Sequence, residues 1–357
     1  MSNKKEASIF TATVYRGSTI NALPESPRER NRFGDELQPL GTYADADPYH
    51  RIIEDVDALQ TNEQTDPEFK SKDWWWDHQK IRFLNEKLGF KFLLLLLPFT
   101  WIFTLIIGGG AAIVWGWVQL AETYELPALL LVLLLCVLGP GWLFFSLWII
   151  PPTTNWLMST GIGFVMRPFE KGINKKLDQV FEDGCSEFNR QTGQIRFALG
   201  RKRFFEAPFV EFDAYVERVV QQGGIFYRLM FVHRYTQKTF NKLWFSGIEA
   251  QKTEVYALWD MLQRYMDVSQ PLPDVPRLEP FRHLDPVTRE HDEEIGQNPR
   301  YWRDLNLEEW KTREGLEVLR RQREYPWDSR VCKLTPQLGR ISMEEYRQKR
   351  PDGSWPI

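Results

Sequence analysis

Two histidines among acidic residues form the best candidate for a metal site in this sequence. His283 and His291 are accompanied by Asp285, Glu290 and Asp292. Imidazole nitrogens and carboxylate oxygens are common metal ligands, yet the separation of eight residues between the histidines matches no metal-binding spacing within one helix or loop. We interpret these residues as solvated polar side chains and predict no bound metal.

A catalytic histidine or nucleophile is the second kind of chemistry to look for. His233 stands beside Arg234 in a segment that alternates like a strand, which is more typical of a surface or edge histidine than of a general base. Ser246 precedes Gly247 where a turn is expected, and the sequence holds no GxSxG, HExxH, phosphate-loop or dinucleotide-binding motif. We predict a protein that is not an enzyme and uses no cofactor.

The cysteines indicate neither a disulfide framework nor a zinc site. Cys136 lies in an apolar run, and Cys185 and Cys332 are far apart with no CxxC or Cys/His spacing. Such usage is compatible with a reducing compartment around most of the chain.

Charge gives no sign of a nucleic-acid binder, because the formal net charge is −3. Trp74–Trp76 could stack on single-stranded bases, but no basic groove accompanies these tryptophans. Arg201, Lys202 and Arg203 form a local basic cluster that could face anionic lipid headgroups, although lipid recognition normally uses more basic residues. We predict no nucleic-acid partner and keep the cluster as a lipid-facing candidate.

Two long apolar runs determine where any functional residues of the chain are placed. No charged residue occurs from Phe92 to Leu120, and after Glu122 and Glu125 none occurs until Arg167. A bilayer crossing needs about 20 apolar residues. We predict a transmembrane helical hairpin over residues 91–152, with helices at about 92–118 and 127–150. The alternative, a buried helical hairpin in a soluble protein, is disfavoured because the flanks are too polar to surround it.

The charges beside the apolar runs predict the orientation of the hairpin. Lys87 and Lys91 precede the first run, Lys171 and Lys175 follow the second, and the acidic connector AETYEL separates the two runs. By the positive-inside rule both termini are cytoplasmic, in a bacterial cell at the inner membrane. The spans contain no Asp, Glu, Lys, Arg or His, which argues for a tether rather than a transporter. The small residues at Gly108–Ala112 leave open a homo-oligomer through the hairpin.

The segment before the hairpin is polar. Residues 1–72 mix proline, glycine and both charges without a regular period, so we predict a largely disordered tail. Residues 73–90 begin with Asp73 as a plausible N-cap and carry tryptophans and lysines ahead of the first span. We predict an amphipathic helix there, lying at the membrane interface.

After the hairpin the apolar runs give way to alternation. Phe188 and Phe197 fit strands on either side of a turn at Arg190–Gly193, and about six strands are visible before a helical pattern at Glu249–Asp267. We predict an α+β membrane protein in which residues 160–268 form a cytoplasmic antiparallel β domain. The order of elements is PH-like, with a C-terminal helix closing the sheet.

The last part, residues 269–357, is a highly charged arm with one helix rich in Glu/Arg pairs. Tyr301, Trp302 and Arg303 are the candidate contacts with a partner, because these residue types dominate interface energetics. The alternative is that this stretch packs back on its own domain.

Layout and short strings carry a resemblance to a known family. Two spans with a short acidic loop, FNRQTGQIRF, YRLMFVHR and ALWDMLQRYM, between Phe90 and Asp267, resemble uncharacterised two-pass inner-membrane proteins of Gram-negative bacteria. Members of that family, a domain of unknown function, tend to be encoded beside type VI secretion genes. The resemblance implies an immunity or accessory protein that binds a protein partner, a secreted toxin or a secretion component. The alternative function is a membrane-associated structural or lipid-sensing PH-like module.

Overall fold

The computed structural model of this chain describes ten ranges of residues. They are 10–11, 13–27, 35–70, 74–84, 98–124, 127–156, 185–200, 202–221, 223–241 and 243–348.

The chain is an α+β protein with two compact units. The first unit comprises Met1–Glu86 and Phe181–Ile357, and the second comprises Lys87–Val180. The α-helices in the described ranges are α1 (Tyr49–Thr65), α2 (Pro98–Tyr124), α3 (Ala128–Trp156), α4 (Lys252–Met266), α5 (Pro286–Ile295), α6 (Leu307–Thr312), α7 (Glu314–Glu324) and α8 (Met343–Gln348).

The second unit consists of the two apolar helices α2 and α3, each long enough to cross a membrane. Both continue beyond the ends predicted at residues 118 and 150, and the predicted start of the first helix at Phe92 lies outside the described residues. Their large apolar side chains are exposed; examples are Trp115, Leu129, Phe144 and Trp148. Exposed apolar surface of this extent is typical of a contact with a membrane or with another protein.

The two helices pack as an antiparallel pair. The indole Nε1 of Trp101 donates to Oγ1 of Thr153 (3.1 Å), and Nε1 of Trp142 donates to the carbonyl of Leu105 (3.2 Å). Leu105 lies in a π-helical turn at Thr104–Gly108, where the usual hydrogen-bond ladder is widened. A Cβ on Gly109 would lie 2.0 Å from the ring of Trp142. The glycine therefore makes room for an indole, not for a neighbouring backbone.

The first unit contains two antiparallel sheets of four strands each. The strands are β1 (Asp35–Leu37), β2 (Lys80–Leu84), β3 (Cys185–Asn189), β4 (Gln194–Gly200), β5 (Arg203–Pro208), β6 (Phe212–Gln221), β7 (Gly224–His233) and β8 (Thr239–Phe240). One sheet has the order β2-β3-β4-β5 and the other β1-β6-β7-β8. Strands β3 and β4 lie where the alternating pattern predicts them, on either side of the turn at residues 190–193.

The apolar helices are inserted between two paired strands. Strand β2 precedes both helices and β3 follows them, and Leu84 at the end of β2 pairs with Cys185 at the start of β3. The chain thus leaves the sheet and returns to it at neighbouring positions on the same sheet end.

The predicted interfacial helix at residues 73–90 is wrong for the part that the structure describes. Lys80–Leu84 is strand β2, in which the alternate residues Ile81 and Phe83 are buried. Trp76 is also buried and bridges to Ile81, so the tryptophans belong to the core and not to a membrane surface. Pairing with β3 overrides the helical spacing of the apolar residues.

Helix α4 closes the sheets and is buried on every side. Its apolar residues Val255, Trp259 and Leu262 join the phenylalanine-rich core of the two sheets, as the helical pattern predicts. Its polar residues Glu254, Asp260 and Gln263 are buried as well. A buried polar group needs hydrogen-bond partners, so other segments must cover this second face.

The N-terminal segment supplies much of that cover, which corrects the predicted disordered tail at residues 1–72 for the part that the structure describes, residues 10–11, 13–27 and 35–70. The backbone N–H of Gly41 donates to Oε1 of Gln263 (2.8 Å), and that of Ala44 donates to Oδ2 of Asp260 (2.7 Å). Glu254 accepts from the N–H of His50 (2.9 Å) at the start of α1. Side chains of α4 thus fix an irregular segment whose own sequence has no regular period.

The C-terminal residues also pack on the first unit. Gln322 of α7 donates to Oε2 of Glu254 (2.6 Å), and Arg330 donates to Oδ1 of Asp260 (2.7 Å). Leu338 forms a parallel bridge with Leu23. These segments are therefore integral to the fold and do not form a separate arm.

Candidate functional site

The predicted partner contacts Tyr301, Trp302 and Arg303 pack on their own domain. Trp302 is only 5% exposed and lies in a second apolar cluster with Tyr49 and Trp310. Its indole Nε1 donates to Oδ1 of Asp274 (3.0 Å). The packing alternative therefore holds for Trp302, which has no exposed ring to offer a partner.

Two carboxylates bind these three residues, Glu279 contacting Trp302 and Arg303 and Glu314 contacting Tyr301. Glu279 accepts from the backbone N–H of Trp302 and from Nε of Arg303, the latter at 2.7 Å. Burial raises the pKa of Glu279, and the hydrogen bonds from Arg303 and Trp302 oppose that rise. Burial also raises the pKa of Tyr301, whose hydroxyl donates to Glu314. Through these hydrogen bonds, residues 301–303 connect the 3-10 helix at Pro276–Leu284 with α7.

The basic cluster lies on the turn between β4 and β5. Lys202 and Arg203 are exposed, and Gly200 pairs with Arg203 across the turn. Arg201 lies outside the described residues. Lys202 adopts a left-handed backbone with φ +59°, a region that favours glycine. The turn therefore holds a lysine at a position where a smaller residue would be less strained.

The register of the sheet places this turn at a defined end. Leu84 pairs with Cys185, the first residue of β3. Because β3 and β4 are antiparallel, the last residues of β4 lie at the same end of the sheet as Cys185. The turn from β4 to β5 is therefore at that end as well. Trp244 lies at that end too, because its backbone N–H donates to the carbonyl of Leu84 (2.9 Å). The side chain of Trp244 is 59% exposed. The insertion end of the sheet, defined by Leu84, Cys185, Lys202, Arg203 and Trp244, thus combines cations with an exposed indole.

A second exposed surface lies at the tip of the β6–β7 hairpin. Val220 pairs directly with Ile225, and the two side chains are 73% and 50% exposed. Strand β1 reaches β6 only as far as Glu217, so in the described part of the chain the last residues of β6 pair with β7 alone. Alternation in the sequence does not reveal this surface, because it does not show where neighbouring strands stop.

A buried polar network lies beneath the β7–β8 turn. Nε2 of His233 is 2.8 Å from Oε2 of Glu211, and the backbone N–H of Thr236 donates to Nδ1 of His233 (3.1 Å). Nδ1 is therefore an acceptor, so Nε2 carries the proton and donates to Glu211. Tyr346 of α8 donates to the other oxygen of Glu211 (2.7 Å). The prediction of a surface histidine is wrong: His233 is fully buried, where substrate cannot reach it.

The described residues hold no group of side chains suited to a metal ion. No group of three or more His, Cys, Asp or Glu side chains among them could hold one, His283 and His291 included. A cavity of about 450 Å³ adjoins Arg303. Two of its three lining arginines, Arg282 and Arg303, form ion pairs with Asp292 and Glu279.

Comparison with known proteins gives no relative from which a role could be transferred. No protein-family model, no curated protein and no solved structure matches this chain.

Proposed function

We propose that the chain is a two-pass inner-membrane protein that binds a protein partner through its β domain and has no enzymatic activity. The observation that carries the membrane assignment is the exposure of α2 and α3. Although the two helices pack on each other, many of their large apolar side chains, Trp115 and Trp148 among them, remain exposed in the described part of the chain, and a lipid environment would cover them.

The pairing of Leu84 with Cys185 supports two crossings and not one. Strands β2 and β3 belong to one sheet, so the chain must return to the side of the membrane that it left. An antiparallel pair of spans does this. The lysines at positions 87, 91, 171 and 175 and the acidic connector favour the cytoplasm for that side, and with it for both termini.

Reporter fusions test this orientation. Fusions at residue 1 and residue 357 should report the cytoplasm, while a fusion in the connector after Tyr124 should report the periplasm. Alkaline carbonate should leave the full chain in the membrane pellet. A chain released by carbonate would overturn the membrane assignment.

The order of elements supports a PH-like domain. Four strands in a meander, β2 to β5, are followed by three more, β6 to β8, and then by helix α4. In this proposal β1 and α1 are additions, and the membrane hairpin occupies the first strand connection. This analogy concerns the fold alone and carries no function.

The tip of the β6–β7 hairpin supports a protein partner. Val220 and Ile225 are directly paired and exposed on a two-stranded ribbon, and in this proposal they form the centre of the contact surface. Following the resemblance of the sequence, the partner is a secreted toxin or a component of type VI secretion, and the chain is its immunity or accessory protein.

Capture of the partner tests the binding surface. Full-length protein in detergent should recover a toxin or secretion component, and Val220→Asp with Ile225→Asp should lower recovery at least about tenfold, as for an interface hot spot. Leu316→Asp with Val331→Asp is the matched control, because these aliphatic side chains are also exposed but lie elsewhere. Equal recovery by both variants would exclude the hairpin tip.

A competition assay tests the immunity role. A strain that lacks this gene should be killed by its toxin-carrying parent, and the wild-type gene should restore survival. Unimpaired survival of the deletion strain would contradict immunity while leaving an accessory role to the capture experiment.

A further inference from the structure

We infer that the insertion end of the sheet contacts the anionic surface of the bilayer, with Lys202 and Arg203 on lipid headgroups and Trp244 in the interfacial layer. This inference rests on the proposed membrane insertion. It concerns a different surface from the hairpin tip proposed for the protein partner.

Chain length limits how far this end can be from the membrane. Strand β2 ends at Leu84, and the charge-free apolar run begins at Phe92. Eight Cα steps span at most about 28 Å even when fully extended. The return connection enters β3 at Cys185, on the same end of the sheet. The end is therefore tethered to the bilayer twice.

The residues at this end have the composition of a membrane interface. Tryptophan prefers the headgroup level, since its ring is apolar and its N–H is polar. Trp244 projects 59% of its surface into solvent next to the exit residue Leu84. Phe204, the residue after Arg203, is also partly exposed, with the guanidinium of Arg196 4.8 Å from its ring centre.

The charges at the turn complement an anionic surface. Lys202 and Arg203 are both exposed, and Glu206 is the exposed acid that follows them on β5. Each basic residue near an anionic membrane surface contributes about 1 kcal/mol, which corresponds to about 30-fold in the docked-to-undocked ratio for the pair. A contribution of this size is enough to dock a tethered domain on the membrane, because the local concentration of the domain at the membrane is already high.

Photo-cross-linking of the full chain in nanodiscs tests the contact. Trp244→p-benzoylphenylalanine should form lipid adducts, detected by mass, in nanodiscs that contain phosphatidylglycerol. The same photoreactive residue at Leu316, which is exposed on α7, should give none. Adducts to protein at position 244, or no lipid adduct there, would overturn the inference.

The basic residues are tested in the same assay. Lys202→Gly with Arg203→Gln should reduce the docked-to-undocked ratio by about 30-fold, to the level seen with phosphatidylcholine alone. Glycine is tolerated at position 202 because φ is +59° there, so the turn is preserved. Arg320→Gln with Arg323→Gln on α7 is the charge-matched control and should change nothing. An unchanged adduct yield in the turn variant would also overturn the inference.

Carbonate extraction separates the two possible failures. If the chain is extracted, the membrane assignment itself is wrong. If the chain stays in the pellet but forms no lipid adduct at position 244, only the contact inferred for this end is wrong.

Discussion

The carboxylate of Asp260 lies at the centre of the covered face of α4. It accepts from the N–H of Ala44 (2.7 Å), from Nε2 of Gln263 (3.1 Å) and from Nη1 of Arg330 (2.7 Å). Burial raises the pKa of Asp260 to about 6, and Arg330 and Ala44 oppose that rise. Because the folded-state pKa exceeds the ordinary value, the contribution of Asp260 to stability falls as pH rises from about 4 to about 6.

We predict that Arg330→Met makes this pH dependence steeper. Removing the guanidinium raises the pKa of Asp260 further, so the ionised carboxylate becomes more costly at high pH. The free energy of unfolding should drop by about 3 to 5 kcal/mol at pH 8, as for a broken buried ion pair, and by less at pH 5. Urea unfolding followed by tryptophan fluorescence measures both values. In the double variant Asp260→Asn with Arg330→Met, the loss of unfolding free energy should be the same at pH 5 and pH 8. If Arg330→Met alone lowered the free energy of unfolding equally at both pH values, the assignment would be contradicted.

Among the structural elements, the β3–β4 turn holds the segment around Thr11 and Thr13. The N–H of Thr11 donates to the carbonyl of Gln191 (3.0 Å), and Oγ1 of Thr13 donates to that of Thr192 (2.8 Å). Gly193 has φ +68°, and a Cβ there would lie 2.4 Å from the carbonyl oxygen of Thr13. Only glycine allows this close approach of two backbones.

We predict that Gly193→Ala destabilises the first unit by about 3 kcal/mol, since left-handed strain adds to displacement of the N-terminal segment. Gly296→Ala is the matched control: φ is +67° there, but nothing lies within 4 Å of the added Cβ. The control should cost about 1 kcal/mol. Thermal unfolding gives the two costs, and limited proteolysis reports release of the N-terminal segment. Similar costs for the two variants would show that the contact with Thr13 carries no energy.

The apolar helices offer a second matched pair of glycines. Gly109 faces the ring of Trp142, whereas nothing lies within 4 Å of a Cβ on Gly110. We predict that Gly109→Ala weakens the packing of α2 on α3 and that Gly110→Ala does not, because only the first substitution displaces the indole and its bond to Leu105. The midpoint of an SDS titration followed by circular dichroism should fall for Gly109→Ala alone. An equal midpoint for both variants would rule out this packing.

The sequence predicted those elements whose signals are local. The alternation around residues 190–193 located β3 and β4, and the apolar runs located α2 and α3. Strand β2 was missed because its partner β3 lies beyond both apolar helices, and because the neighbouring tryptophans also fit a helical face. The basic turn was visible as a cluster at positions 201–203, but its place beside Leu84 depends on the register of β2. The hairpin tip and the cover of α4 likewise depend on long-range pairing.

Considered as a whole, the fold is a β domain interrupted by a pair of apolar helices. The apolar helices are inserted between Leu84 and Cys185, which are direct partners in the sheet. These two residues are therefore as close to each other as the two strand ends that a β-hairpin turn connects. No described residue between them belongs to either sheet, since β2 ends at Leu84 and β3 begins at Cys185. The first unit should therefore not need the apolar helices in order to fold.

We predict that replacing residues 85–184 with Asn-Gly yields a folded, soluble protein. This dipeptide favours the two-residue turn that joins antiparallel strands, and it would convert β2 and β3 into an ordinary hairpin. Gel filtration without detergent should give a single species of the expected size, and circular dichroism should show cooperative unfolding. A control in which Ile81→Asp is added should not fold, because Ile81 is fully buried in the core. A second variant would replace residues 85–184 with a longer glycine-containing loop. If both this variant and the Asn-Gly variant aggregated, the β domain would depend on residues 85–184 for its structure.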